Sequence, residues 1–588
     1  MKEFMKYTFA TVTGVVIVLV AMAIIGTIAV VGMVASSEST TTVKDNSVLV
    51  LNLNGALEER QSEGFMPSLM GGESGSLGLE ETLSAIRKAK TNDKIKGIYI
   101  EAGMFSADAL ASVQALRNAL ADFKKSGKWI VSYADTYTQS EYYLCSVADK
   151  VLLNPKGMLD WHGLSATPMF YKDVLAKFGV RFQLSKVGKY KSAPESFTSD
   201  GMSAPNREQI TVYLNGAWDT MLSDVSASRK ISKAALNTYA DSLYVFADPQ
   251  QYVKAKLVDK LVYTDEVKGE IKKLLGLEAD DDINQLSVAD MKNVPGDKKR
   301  GDEIAVYYAY GNIVDDEMMS NSHLIIGKDV CKDLEALADD DDVKAVVLRV
   351  NSGGGSAYAS EQIWHAVCKL KEKKPVVVSM GGLAASGGYY MSCAANYIYA
   401  EPTTLTGSIG IFGMFPDFSG LLADKLGVKF DEVKTNKNSA FGTMARPFNA
   451  EEMAFLNAHI TRGYDTFLER VAAGRHMSVA NVDSIAQGRV WLGRDALRIK
   501  LVDAMGGLYE AIAKAAQLAK TDEYYTTNYP AEPDWMDQIM SELDGGDNYL
   551  DEKMKQTLGE YYAPFEFLKT INTQNAIQAR MPFDLVVK

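Results

Sequence analysis

Ser386 stands in a run of very small residues, Gly381-Gly382-Leu383-Ala384-Ala385-Ser386-Gly387-Gly388. The stretch before it, Val376 to Met380, is β-branched and apolar, the pattern of a strand buried on both faces. The stretch after it, Tyr389 to Asn396, carries apolar residues at helical spacing. Strand, tight turn and helix would leave Ser386 at or near a helix N-terminus, where free backbone N–H groups face outward and the dipole favours negative charge. A serine on such a turn can act as a nucleophile, although Ala384 stands where G-x-S-x-G would have its first glycine. The plainer alternative is a small serine packed where a helix meets a sheet.

A serine hydroxyl needs a base to take its proton. Histidine is the usual one, but none of His162, His323, His365, His459 and His476 lies beside the turn. Lysine serves when burial lowers its pKa. The segment Ser185-Lys186-Val187-Gly188-Lys189-Tyr190-Lys191-Ser192-Ala193-Pro194 offers three, and lysines on a loop are more often simply solvated. A third stretch, Asn351-Ser352-Gly353-Gly354-Gly355-Ser356, follows the strand-like Val346 to Val350. Glycines there let backbone N–H groups approach a ligand, as an oxyanion hole requires. Tight turns collect glycine too.

The elements that must position these residues alternate. Strand-like runs (Val48–Leu53, Ile98–Ile100, Trp129–Tyr133, Val151–Leu153) are separated by helix-like ones (Glu80–Ala89, Ala107–Lys125, Glu141–Ala148). That order predicts βαβ units and a largely parallel sheet. Residues 36–47 read as a polar tether, Ser62 to Leu79 as a mobile loop, and Asp280 to Asp302 as a linker. Beyond it the pattern restarts about 247 residues on. Ile95-Lys96-Gly97-Ile98 recurs as Val343-Lys344-Ala345-Val346, Tyr142-Tyr143-Leu144 as Tyr389-Tyr390-Met391, and Gly179-Val180-Arg181-Phe182 as Gly427-Val428-Lys429-Phe430. Leu257-Val258-Asp259 recurs as Leu501-Val502-Asp503. The two copies differ where chemistry is expected: Gln139 stands opposite Ser386, and Ser439 opposite Lys191. Each copy keeps one member of a pair, so the site would need both.

At 588 residues the chain is too long for one ordinary core. A net charge of −13 excludes a nucleic-acid partner, whose phosphates call for a basic face. Cys145, Cys331, Cys368 and Cys393 show no C-x-x-C spacing and read as buried thiols rather than metal ligands or a disulfide framework. Phe9 to Ala35 has no charged residue and is long enough to cross a bilayer. Lys2 and Lys6 precede it, and no basic residue follows until Lys44. The expectation is an uncleaved anchor with its N-terminus in the cytoplasm and the rest of the chain outside.

The motifs at 351–356, 379–390, 405–413 (Leu-Thr-Gly-Ser-Ile-Gly-Ile-Phe-Gly), 188–193 and 485–491 (Ile-Ala-Gln-Gly-Arg-Val-Trp) together resemble the signal peptide peptidase A family, also called protease IV, in its double-length form. The resemblance covers nearly the whole chain and fades after about Thr526. It implies tandem duplicated Clp-protease/crotonase-like α/β domains after one transmembrane helix, with domains at 1–36 (N-terminus and anchor), 46–295, 301–525 and 526–588. It further implies a Ser–Lys dyad of Ser386 and Lys191, a lysine-orienting Ser408, and an oxyanion hole from the backbone N–H groups of Gly354 and Gly387. Gly353 departs from the family, whose members often carry proline there. The activity implied is a serine endopeptidase of the bacterial inner membrane, facing the periplasm, that degrades cleaved signal peptides and similar apolar peptides as a homotetramer. No metal or cofactor is required. The rival expectations are a crotonase-like acyl-CoA enzyme and a membrane scaffold without catalysis.

Overall fold

The computed structural model describes residues 2–37, 40–61, 76–295, 300–316, 323–531, 554 and 577–581. The apolar N-terminal run is helical, Lys2–Ser37, and its stretch Phe4–Met22 is not buried by the described residues. By length and composition it can cross a membrane.

Each copy of the repeat builds its own parallel sheet. In the first, the strands Ser47–Glu58, Ile95–Ala107, Trp129–Tyr137 and Lys150–Leu159 lie side by side. In the second, Asp302–Tyr310, Val343–Ser352 and Val376–Ala385 repeat the arrangement. The duplication persists in detail. Both copies carry a long helix, Ala204–Arg229 and Ala450–Arg475, each ended by a left-handed residue, Lys230 and His476. The last arginine of each helix pairs with the aspartate of the Leu-Val-Asp motif, Arg229 with Asp259 at 2.8 Å and Arg475 with Asp503 at 2.6 Å.

The strands run longer than the apolar patches that mark them in the sequence, because backbone pairing continues past the buried side chains. Two boundaries move. The linker expected over 280–302 contains a strand, Asn284–Leu286, that pairs with Ser47–Leu49, and a helix, Val288–Lys292, capped by Ser287. Both belong to the first sheet's edge. The boundary expected at 525/526 cuts the strand Tyr524–Tyr529, which pairs with Asp302–Tyr307. The loop expected over 62–79 lies outside the described residues at 62–75, and its end is the strand Ser76–Gly78.

A third sheet joins the copies. Its order is Leu324–Ile326, Asn312–Val314, Gly354–Ser356, Ile577–Arg580, Phe412–Asp417 and Arg181–Lys186. The last strand comes from the first copy and pairs antiparallel with Phe412–Asp417 over six residues. Each copy has its own large apolar core, a small apolar cluster of Tyr213 from the first copy with Ala385, Leu405, Val490 and Leu492 from the second spans the joint, and polar pairs cross it as well. Arg349 reaches Glu59 through two hydrogen bonds of 2.9 and 3.0 Å. Asn351 Nδ2 donates to Asp108 at 2.7 Å.

Candidate active site

The buried strand Val376–Ala385 delivers Ser386 to the cap of the short helix Gly387–Ser392. Ser386 holds φ 55° and ψ −112°, a conformation that costs a non-glycine residue of order 1–3 kcal/mol. Its N–H donates to the Gly407 carbonyl and its own carbonyl accepts from Tyr390 N–H, both at 2.8 Å. The glycines that follow are required sterically. A Cβ on Gly387 would lie 2.6 Å from Ser360 Oγ, and one on Gly388 2.6 Å from the Ser352 carbonyl.

Lys191 arrives from the other copy. Past the strand Arg181–Lys186 the chain turns at Gly188, whose φ of +95° and contact with the Gln487 backbone leave no room for a side chain. Tyr190 N–H then donates to the Gln487 carbonyl at 2.9 Å. Gly488 presses on Lys191, where a Cβ would fall 2.6 Å from the lysine's own Cβ. Gln209 clamps the segment: its Nε2 donates to Tyr190 O and Ser192 Oγ, and its Oε1 accepts from Val490 N–H. Arg489 stacks on Tyr190 from the second copy.

The result is a fully buried amine. Lys191 Nζ lies 2.8 Å from Ser386 Oγ and 3.0 Å from both the carbonyl and the hydroxyl oxygen of Ser408. All three partners are neutral oxygens. Burial alone holds the amine well below the ordinary lysine range. A neutral amine has two N–H donors and one lone pair. The Ser408 carbonyl can only accept, and Ser408 Oγ can take the second N–H. The lone pair is thereby left for the Ser386 hydroxyl proton. Ser408 itself has φ 49° and its N–H is tied to the Arg489 carbonyl at 2.7 Å.

The structure thus brings Ser386, Lys191 and Ser408 together, and none of the other loop lysines joins them. Lys186 turns back to the Lys191 carbonyl, and Lys189 lies over the Tyr190 ring. Among the described residues no histidine hydrogen-bonds to Ser386. Gly387 directly follows the serine, where its N–H can serve an oxyanion. Gly354 lies next to it: its N–H donates to Ser352 Oγ at 3.1 Å, and a Cβ on Gly354 would stand 2.8 Å from Gly387 N. Sequence reasoning also missed Gln209, Gln487 and Asp108. The Gln487-Gly488 pair was visible as part of a motif, but nothing in the sequence gave it a role against Lys191.

The sequence model of peptidase family S49 matches residues 122–278 and again 368–522, and that of Clp protease matches 306–404. The chain is 36% identical over 517 residues to Protease 4 of Haemophilus influenzae, covering 84% of this chain and 82% of the relative. Protease 4 of Salmonella typhi is also 36% identical, with the same coverage. The chloroplastic serine protease SPPA of Arabidopsis thaliana is 32% identical over 81% of this chain and 70% of its own length.

Proposed function

The chain belongs to peptidase family S49, and from that premise we propose that it is a membrane-anchored serine endopeptidase working through a Ser386–Lys191 dyad. The 2.8 Å approach of a fully buried lysine, its pKa held low by that burial, to a strained serine carries the reading. Ser386 Oγ attacks a peptide carbonyl while Lys191 Nζ accepts its proton. The N–H groups of Gly387 and Gly354 receive the oxyanion. Lys191 then protonates the leaving amine, and a water repeats the sequence on the acyl-enzyme. Ser408 orients the amine by accepting its two N–H bonds. No step uses a metal or cofactor.

The substrates are cleaved signal peptides and similar apolar peptides. The burial that lowers the Lys191 pKa is also a setting that suits apolar chains. Lys2 and Lys6, in the first turns of the helix Lys2–Ser37 and ahead of its uncharged run, orient the catalytic part to the outer side of the bacterial inner membrane.

We also propose a homotetramer, and the repeat offers a pairing through which copies could join. Within the chain, Arg181–Lys186 of the first repeat pairs with Phe412–Asp417 of the second. The reciprocal pairing would join 429–434 of the second repeat to 164–169 of the first, and neither stretch is in a strand. Val433 is 96% exposed. Head-to-tail copies would complete that pairing and close on themselves.

A fluorophosphonate probe should label Ser386, and Lys191→Ala should remove the labelling. Equal labelling in Lys191→Ala, or attachment to another residue, would overturn the dyad.

A further inference from the structure

The segment that presses on Lys191 hangs on a strained residue. The helix Val479–Ile485 ends just before it, and Gln487 holds φ 54°, a left-handed conformation that a residue with a side chain adopts only when its surroundings hold it there. The hold comes from two residues of the same repeat. Tyr464 OH, on the buried face of the long helix Ala450–Arg475, donates to Asp483 Oδ1 at 2.6 Å. Gln487 Nε2 donates to the same Asp483 oxygen at 2.6 Å, and Gln487 N–H donates to Tyr464 OH at 3.2 Å.

The first repeat shows which part of this belongs to the fold. Its helix Lys233–Asp241 is capped by Ser232, as Val479–Ile485 is capped by Ser478, and a left-handed residue follows it too, Leu243 at φ 48°. The aromatic donor and its acceptor are also kept, as Trp218 Nε1 donating to Asn237 Oδ1 at 2.8 Å. The third member is missing. Leu243 has no polar side chain and is exposed, and where the second repeat has Gly488 the first has Tyr244, stacked on Tyr239. The turn and the aromatic pair therefore form without a glutamine. Gln487 is added only in the repeat whose turn meets the base.

What the turn meets is the whole setting of the amine. The Gln487 carbonyl accepts from Tyr190 N–H at 2.9 Å, Gly488 N–H donates to the Ile409 carbonyl at 2.8 Å, and the Arg489 carbonyl accepts from Ser408 N–H at 2.7 Å. Gly488 lies between these ties, against Lys191, and Gly410 closes on the same stem, where a Cβ would stand 3.4 Å from Lys191 Cδ. A wall of glycine has no side chain to keep its place, so its position depends on how the backbone beside it is anchored.

We propose that Gln487 is a positioning residue of the dyad, a latch locked by Tyr464 and Asp483 that keeps the Gly488 wall closed on Lys191 and water away from its amine. The proposal rests on the peptidase reading above. Charged groups on the adjoining segments are engaged elsewhere: Lys186 on the Lys191 carbonyl, Lys189 over the Tyr190 ring, Arg489 with Glu208, and Asp483 in the lock itself. Burial is what lowers the Lys191 pKa, so water admitted past a loosened wall stabilises the charged amine and raises that pKa.

The test follows the rate at which a fluorophosphonate labels Ser386 in the full chain in detergent, from pH 5 to 10. Gln487→Leu copies the residue that the first repeat carries in the same backbone conformation, so the variant should fold. Its half-maximal pH should move up by about one unit, with labelling about tenfold slower below it, since one unit is a tenfold smaller neutral fraction. At the alkaline end the gap should close. Asp483→Leu should behave like Gln487→Leu, and the double variant no worse than either. Asp483→Asn keeps the oxygen that both donors reach, as Asn237 does for Trp218, and should keep the wild-type profile. An unmoved half-maximal pH in Gln487→Leu, with the rate either unchanged or lowered equally at every pH, overturns the latch and leaves the dyad standing. Asp483→Asn as impaired as Asp483→Leu overturns the lock. A wild type that is not labelled at Ser386 overturns dyad and latch together.

Discussion

Replacing Lys191 by methionine should abolish turnover and, at neutral pH, alter stability in a direction set by proton linkage. Methionine keeps most of the lysine's length and apolar stem without the amine. Two effects of the change can be separated. Removing the N–H donors leaves the Ser408 carbonyl and hydroxyl buried without their partner, a penalty of about 1–3 kcal/mol that does not vary with pH. Removing the amine also deletes a titration. In the folded chain burial keeps Lys191 neutral at a pH where the unfolded lysine is charged. The unfolded state therefore binds one more proton, and wild-type stability rises with pH across that window. The window begins at the depressed folded value and closes near 10.5, the ordinary lysine value. Within it the slope is about 1.4 kcal/mol per pH unit. Below the window the wild type bears the whole cost of charging or stripping a buried amine; above it, none. Urea unfolding of wild type and Lys191→Met, followed by tryptophan fluorescence at pH 7 to 10, should give a free-energy difference that moves toward the wild type by this amount per unit. Two parallel curves would mean that Lys191 titrates normally in the fold, and the proposed base would be lost with it.

Ser408→Ala removes one of the two acceptors that turn the lone pair of Lys191 toward the serine. Turnover should fall about three- to tenfold, the worth of one neutral hydrogen bond, with KM unchanged; a loss confined to KM would place Ser408 in substrate binding. Gly488→Ala puts a Cβ 2.6 Å from the Lys191 Cβ at a φ of +76°. A displacement of the lysine by about 1 Å should lower kcat roughly a hundredfold, and full activity would show that the loop yields freely. Glu59→Gln leaves the buried Arg349 guanidinium without its counter-charge. Chemical unfolding should lose about 3–5 kcal/mol, and a loss under about 1 kcal/mol would show that the joint between the copies holds without the pair.

The serine turn was legible because its composition has few other uses. A β-branched strand running into glycine and alanine, with a helix behind, leaves little but a tight elbow, and Ser386 sits on it with positive φ. The lysine was legible only as one of three, because burial of Lys191 depends on Gly188, Gln209 and Gly488, which lie far apart in sequence. Family resemblance chose among them. The glycine loop was legible as backbone open to a ligand, but the Ser352 hydroxyl that accepts from the Gly354 N–H was not; serine side chains compete for nearby backbone in this way. The strands Asn284–Leu286 and Ile577–Arg580 left no mark that periodicity can detect. Each is short and held by backbone pairing to a distant edge, so polar composition concealed the first, and the second fell in a tail with no repeat to compare.

The duplication explains why the site is divided rather than doubled. In the first copy, the position of Ser386 is Gln139, opening a helix whose cap Thr138 is tied reciprocally to Glu141. Its side chain turns inward: Gln139 Oε1 accepts from the N–H groups of both His162 and Gly163, at 3.0 and 2.8 Å. That stretch corresponds to Ile409 and Gly410, which follow Ser408 in the working copy. One glutamine thus satisfies donors in the place where the second copy gathers its lysine. A buried polar site stripped of serine and lysine would otherwise carry unpaired groups at a cost of about 1–3 kcal/mol each. In the second copy the counterpart of Lys191 is Ser439, exposed on a turn that it caps through its own hydroxyl. Once Gln139 filled the first site, a second inserted lysine had nothing in the chain to serve. The strand Arg181–Lys186, by contrast, leads into the segment that sets Lys191 beside Ser386. On the proposed dyad reading, one serine and one lysine therefore suffice to hold both halves of the chain together.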